Sequence, residues 1–167
     1  EKRQCYKIID MLNSEMDIAL ISDAGTPCIS DPGYLLINQC KKNNISVYTI
    51  PGPSAVTAAL SISGLSSDSF YFEGFLPKKK GRKTKFEYLK ALKCTVIIFE
   101  SPKRILKTLN DIKKYFSGNH MLSIHREMTK LYEQNYWGTV DDCIDYFDTT
   151  SKCKGEFVII ISKMKNE

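Results

Sequence analysis

Ser22-Asp23-Ala24-Gly25-Thr26-Pro27-Cys28-Ile29-Ser30-Asp31-Pro32-Gly33 is the stretch from which the fold is read. The apolar run Ile18 to Ile21 precedes it and reads as a buried strand, and Tyr34 to Lys42 follows it and reads as a helix. The stretch is therefore a strand-to-helix loop. Asp31-Pro32-Gly33 reads as the helix start, because Asp caps free N–H groups and proline at the first helical position lacks the N–H that would go unpaired. Gly25 permits a tight turn or a close ligand approach. Asp23 sets a carboxylate at the carboxyl end of a strand, where ligands bind in open α/β sheets. An ordinary βα turn explains the same residues, so the remainder of the chain must decide between the two.

Working outward, Cys5, Ile8, Ile9 and Leu12 recur at helical spacing, which predicts an opening helix laid against a strand at 17–21. Beyond the second helix, Asn43-Asn44 suits a helix C-terminus, and Ile45 to Ile50 alternates as a second strand. Pro51-Gly52-Pro53 breaks that strand, and Ser54 begins a small-residue helix from Ala55 to Ile62. Two strands thus empty into two glycine-containing, proline-rich turns, which a parallel sheet would bring to one edge. The small, polar run 64–69 reads as a domain boundary, dividing the chain into 1–66 and 67–167.

The second half reads as an α/β sheet of about five strands. They are Phe70 to Phe75, Cys94 to Phe99, Met121 to His125, Leu131 to Trp137 and Phe157 to Ile161. Helices are expected over Phe86 to Leu92, from Ser101-Pro102 through the stripe Ile105, Leu109 and Ile112, and over Val140 to Phe147. Between the first strand and its helix, Pro77 to Lys85 reads as a loop holding Lys78, Lys79, Lys80, Arg82, Lys83 and Lys85. Such a cation run is either a solvated loop or a contact to a phosphate backbone.

Composition narrows the function classes. The 167 residues are 43% hydrophobic, ample for a core, and the formal charge of +5 permits a polyanionic partner without requiring one. Cys5, Cys28, Cys40, Cys94, Cys143 and Cys153 follow no metal-ligand spacing and read as reduced thiols of a cytoplasmic protein. His120 and His125, without cysteine ligands nearby, read as structural. No apolar run approaches the roughly 20 residues that span a bilayer.

Leu20 to Gly33, read as L-I-S-D-A-G-T-P-C-I-S-D-P-G, resembles the signature of the ribosomal RNA small subunit methyltransferase I family, of the tetrapyrrole methylase-like class. The likeness continues in order through I-P-G-P-S-A at Ile50 to Ala55, F-E-G-F-L-P at Phe72 to Pro77 and F-E-S-P-K-R at Phe99 to Arg104. It ends with H-R-E-M-T-K at His125 to Lys130 and K-G-E-F-V at Lys154 to Val158. Family members open with a strand, a T-P-I-G-N-L loop and an A-E-D-T-R segment, none of which occurs here. The chain therefore reads as a member that begins midway through its N-terminal domain, without part of the methyl-donor site.

The resemblance implies two α/β domains of the tetrapyrrole methylase type with the cofactor in the cleft between them, and a homodimer. It implies S-adenosylmethionine as donor, no metal, and as acceptor a cytidine ribose 2′-hydroxyl of small-subunit ribosomal RNA, free or in the assembled small subunit. Carried over by position, Ser22, Asp23, Ala24, Gly25, Thr26 and Pro27 touch the methionine part of the donor, and Ser54 and Ala55 form a second wall. Phe99, Glu100, Ser101, Glu156 and Phe157 flank it from the other domain. Glu100, Glu127 and Lys130 are the candidate bases, with a structural ion-pair network involving Arg104 and Arg126 as the alternative. Lys78, Lys79, Lys80, Arg82, Lys83, Lys85 and Arg104 are the candidate RNA contacts. Two other readings stay open: a methylase of the same fold acting on a tetrapyrrole or a protein side chain, and an inactive RNA- or nucleotide-binding fragment.

Overall fold

The computed structural model describes residues 2–149 and 154–164. Cys153 lies outside them. Packing divides the chain into two units, 1–54 and 55–167.

The first unit contains α1 (Lys2–Asn13) and α2 (Tyr34–Lys42). Cys5 and Ile9, one turn apart on α1, are buried together with Cys40 of α2, and the Cys5 thiol donates to the Leu35 carbonyl at 3.8 Å. The end of α2 is as expected: Asn43 N–H donates to the Gln39 and Cys40 carbonyls, and Asn44 takes a left-handed φ of 56°. Its start is not. The N-cap is Gly33 at φ 138°, no side chain caps it, and the helix begins at Tyr34, so Asp31 and Pro32 lie outside it. A Cβ at Gly33 would stand 2.6 Å from Cys28 Sγ and 2.9 Å from Leu20 Cδ2, which holds this position to glycine.

The two strands expected in this unit do not form. Residues 17–21 and 45–50 join no ladder among the described residues, and Ile21, Tyr48 and Ile50 are exposed. Branched and aromatic residues favour extended backbone, but a strand exists only when a neighbour pairs its N–H and C=O groups.

The second unit holds α3 (Ala55–Ile62), β1 (Phe70–Phe75), α4 (Arg82–Ala91), β2 (Thr95–Glu100), α5 (Ile105–Phe116), β3 (Met121–Arg126), β4 (Gln134–Thr139), α6 (Val140–Thr149) and β5 (Phe157–Ile161). The strands form one sheet in the order β1-β2-β5-β3-β4. Only β1 and β2, joined through α4, are parallel; the other pairs are antiparallel. The division between units falls ahead of α3 because Val56, Ala59 and Leu60 pack with Ile97, Val158 and Ile160 on one face of this sheet. On the other face, Phe86 and Leu89 of α4, Ile105, Leu109 and Ile112 of α5, and Cys143 and Phe147 of α6 close over Val96, Ile98, Ile124 and Ile159. Two covered faces explain why β5 and most of β2 read as unbroken apolar runs.

Three local expectations shift. Helix α4 starts at Arg82, so half of the presumed basic loop is helical. Helix α5 starts at Ile105 with no side-chain cap, and Pro102 lies in a turn closed by Arg104 N–H on the Ser101 carbonyl at 3.0 Å. Strand β4 begins at Gln134, because residues 127–133 turn tightly, with Lys130 N–H on the Glu127 carbonyl and left-handed backbone at Glu127 and Thr129. Leu109 is fully buried, so Leu109→Ala should lower stability by about 2–5 kcal/mol, read as a fall in the urea midpoint with unchanged m-value.

Candidate functional site

Strand register collects the motifs of the second unit at one edge of the sheet. Glu100, the last residue of β2, pairs with Phe157, the first of β5, and Phe157 pairs in turn with Arg126, the last of β3. Phe75 at the end of β1 pairs with Phe99. The segments 99–101, 126–130 and 156–157 therefore lie side by side although they are far apart in sequence. An aromatic group marks the same edge: the rings of Phe72 and Phe75 stand 4.9 and 5.8 Å from that of Phe99, edge to face, and Phe75 is exposed.

In the first unit the two glycine-containing turns do meet, without a sheet beneath them. Thr26 Oγ1 donates to the Pro53 carbonyl at 3.0 Å, and Ser22 Oγ donates to the Gly25 carbonyl at 2.9 Å. Gly25 is left-handed at φ 75°, and Asp23 is exposed. Ser54 ends this unit, and Ala55 opens α3 in the next.

Glu100 is not poised as a base. Its side chain is fully buried, and its carboxylate accepts from Ser101 N–H at 2.7 Å and Thr108 Oγ1 at 2.6 Å while pairing with Arg104 Nε at 3.2 Å. The network runs on: Arg82 donates to Thr108 Oγ1 at 2.8 Å, to Asp111 at 2.7 Å and to the Pro77 carbonyl at 3.1 Å, and Arg104 donates to the Leu76 carbonyl at 2.7 Å. This is the ion-pair alternative for Glu100 and Arg104, with Arg82 in place of the expected Arg126. Arg126 instead donates to the Lys154 carbonyl and to Gln134. Thr108 and Asp111 were missed from sequence. The available signal was a threonine among the apolar positions 105, 109 and 112 of an amphipathic helix, where a buried hydroxyl requires a partner.

Glu127 and Lys130 form a second cluster with Glu156. Glu127 Oε1 accepts from Glu156 N–H at 2.9 Å and from Lys130 Nζ at 3.0 Å, and Lys130 also reaches Glu156 at 3.1 Å. Gly155, at φ 95°, makes room: a Cβ there would collide with the Glu127 side chain. The Glu156 N–H and then Lys130 hold the Glu127 carboxyl below its ordinary 4.5, while Glu127 and then Glu156 raise the Lys130 ammonium above 10.5. Lys130 is therefore charged at neutral pH and cannot accept a proton. The two histidines are structural in geometry. His125 is buried between Ser123 and Asn135, with burial lowering its pKa, and His120 bonds the Ser162 carbonyl.

The candidate RNA cations separate into two groups. Lys78, Lys79, Lys80 and Lys83 are exposed, the last with a loose 3.7 Å pair to Glu87. Arg82 is buried in the network above, Arg104 is committed to Glu100 and the Leu76 carbonyl, and Lys85 is paired with Glu73 at 3.0 Å. Each of these three is paired within the fold. Among the described residues no group of His, Cys, Asp and Glu could hold a metal, and no helix is long and apolar enough to cross a membrane.

Because Glu100→Gln removes the buried charge facing Arg104, it should cost about 1–3 kcal/mol in chemical denaturation. Glu127 acts through its lowered pKa, so the stability it adds over Glu127→Gln should be full above pH 4.5 and vanish as pH falls through its folded pKa. Lys130, raised, should add stability below pH 10.5 that is lost above it; denaturant midpoints taken across pH measure both.

The model of the family Tetrapyrrole (Corrin/Porphyrin) Methylases matches residues 1–143. The chain is 40% identical over 161 residues to the ribosomal RNA small subunit methyltransferase I of Thermotoga maritima, covering 96% of this chain and 72% of that protein. It is 44% identical to the protein of the same name from Mesorhizobium japonicum, and 42% identical to that from Vibrio cholerae. Those alignments cover 93% and 96% of this chain but 53% and 57% of the relatives, so the chain spans between about half and three quarters of the length of these proteins. Among solved structures it superposes on the methyltransferase CobJ with a TM-score of 0.69 at 12% identity, covering 98% of this chain and 72% of that one. On cobalt precorrin-4 methyltransferase the TM-score is 0.66 at 16% identity, with 96% and 70% covered. Those likenesses show the fold. Identity at this level along nearly the whole chain, together with the match to the family model, establishes that the chain belongs to the ribosomal RNA small subunit methyltransferase I family of the tetrapyrrole methylases.

Proposed function

We propose that the whole protein transfers a methyl group from S-adenosylmethionine to the ribose 2′-hydroxyl of a cytidine in small-subunit ribosomal RNA, working in the cytoplasm as a homodimer on the RNA or the assembled small subunit. The observation that carries this reading is the register Glu100, Phe157, Arg126, which lines up three motifs of the family at one sheet edge. The names of the relatives support the substrate. The domain limits 1–66 and 67–167 are part of the proposal.

The exposed groups suit a donor that carries a carboxylate, an ammonium and a sulfonium. Asp23 has no ion-pair partner among the described residues and is proposed to offset positive charge, with backbone of Ala24, Gly25, Thr26 and Pro27 and the Ser22 hydroxyl around it. Ser54 and Ala55 are proposed to form a wall, and Phe99, Ser101, Glu156 and Phe157 the contribution of the second unit. When bound, S-adenosylmethionine supplies an electrophilic methyl group. Orienting acceptor and donor is then the protein's main task, worth ~7–11 kcal/mol for well-placed reactants. Among the described residues Glu127 commits only Oε1, so its other oxygen is proposed to take the hydroxyl proton, and the charged Lys130 to hold that carboxylate in place. Glu100 keeps its place near the donor as a buried anchor of the 101–104 turn.

Labelled methyl transfer to isolated small subunits and to their naked RNA, followed by mapping of the modified nucleoside, tests the reading. A methylated cytidine ribose is expected; label on a ribosomal protein, or none on the RNA, would overturn the RNA reading. Glu127→Gln should lower turnover roughly 10²- to 10⁴-fold with donor affinity by calorimetry unchanged. Undiminished turnover would remove it as the base.

A further inference from the structure

Beside the buried network of Glu100, the second unit has an open cavity of about 240 Å³ between the start of α4 and the outer side of α5. Lys78, Lys79 and Lys83 line it from one stretch of chain, and Lys107 from another. Of these, Lys78, Lys79 and Lys107 have no ion-pair partner among the described residues, and Lys83 has only its distant pair with Glu87. The remaining cation in the wall, Arg82, is neutralised by Asp111 at 2.7 Å. The lysine charge is therefore uncompensated and concentrated over a small concave surface, the arrangement that raises local anion concentration most.

The walls are fixed. Phe86 and Tyr115 stack with ring planes 4° apart at 5.1 Å, and the Arg82 guanidinium lies 5.2 Å from the centre of the Phe86 ring. Arg82 also holds the Pro77 carbonyl, one residue before Lys78, so the lysine-bearing segment is tied to the buried network. Gly81 leaves α4 without a side-chain cap, and the positive end of that helix adds to the same field.

We infer that Lys78, Lys79, Lys83 and Lys107 form a phosphate-binding pocket for the sugar–phosphate backbone of the RNA substrate, with Lys107 as a contact that the basic run alone does not contain. The inference rests on the RNA reading above. Lysines present compact point charges and not the planar fork that reads base edges, so the pocket positions the strand without selecting sequence.

Anisotropy of a short labelled single-stranded RNA, titrated with the protein between 50 and 200 mM salt, tests it. The triple variant Lys78→Ala, Lys79→Ala, Lys107→Ala should bind roughly 10- to 100-fold more weakly, with the salt slope reduced by about 2. Lys107→Ala alone should reduce the slope by about 0.7, and Lys107→Arg should restore it. Lys93→Ala, which removes an exposed charge outside the pocket, is the control and should bind as wild type; melting temperatures of all variants should agree. If the wild type binds RNA and the triple variant matches the Lys93→Ala control, the pocket is overturned while the RNA reading stands. If the wild type itself does not bind RNA, both fall.

Discussion

A buried carboxylate at the end of a central strand is the constraint on which the second unit depends. Glu100 is closed off from water, so its charge is tolerable only while Ser101 N–H, Thr108 and Arg104 all point at it. Those partners belong to the turn after β2 and to the first turns of α5, and Arg104 and Arg82 extend the demand to the Leu76 and Pro77 carbonyls after β1. One desolvated anion thereby fixes a turn, a helix start and a loop. The stiffness reaches the lysine cavity, since Arg82 and Asp111 belong to both.

The sheet supplies the second constraint. With β5 inserted antiparallel between β2 and β3, chain ends of opposite sense fall on one edge, where the start of β5 meets the finishes of β2 and β3. The same edge carries left-handed backbone: Glu127, Thr129 and Gly155 all have positive φ, and a Cβ at position 155 would strike the Glu127 side chain. The cluster of Glu127, Lys130 and Glu156 is thus held by backbone conformation as well as by charge. The lowered pKa keeps Glu127 an ionised carboxylate at neutral pH and the raised one keeps Lys130 charged, so Lys130 serves by holding that carboxylate in place.

Much of this was legible from residue order. Apolar runs and helical stripes placed β1 and β5 to the residue and α3 likewise, since each is decided by local periodicity and by breakers beside it. The expected strands at 17–21 and 45–50 failed for the opposite reason: their apolar character is local, but pairing is not, and no described segment pairs with them in a ladder. Pro102 and Asp31 misled in the same way. Each stands beside a helix start, yet the chain turns once more before the helix begins, because Glu100 claims the Ser101 backbone in one case and Gly33 leaves the helical region in the other.

The sequence by itself determined the family, the α/β class and the set of motifs, because these reside in residue identity and spacing. Only the tertiary structure decided what the charged residues do. A sequence lists Arg82, Lys85 and Lys78 as equal cations, whereas folding desolvates the first, pairs the second and leaves the third in water. It likewise cannot reveal that Lys107 joins Lys78 around one cavity, since that proximity comes from packing α4 beside α5. Charge is written in the chain, but its compensation depends on distance and burial, which exist only after folding.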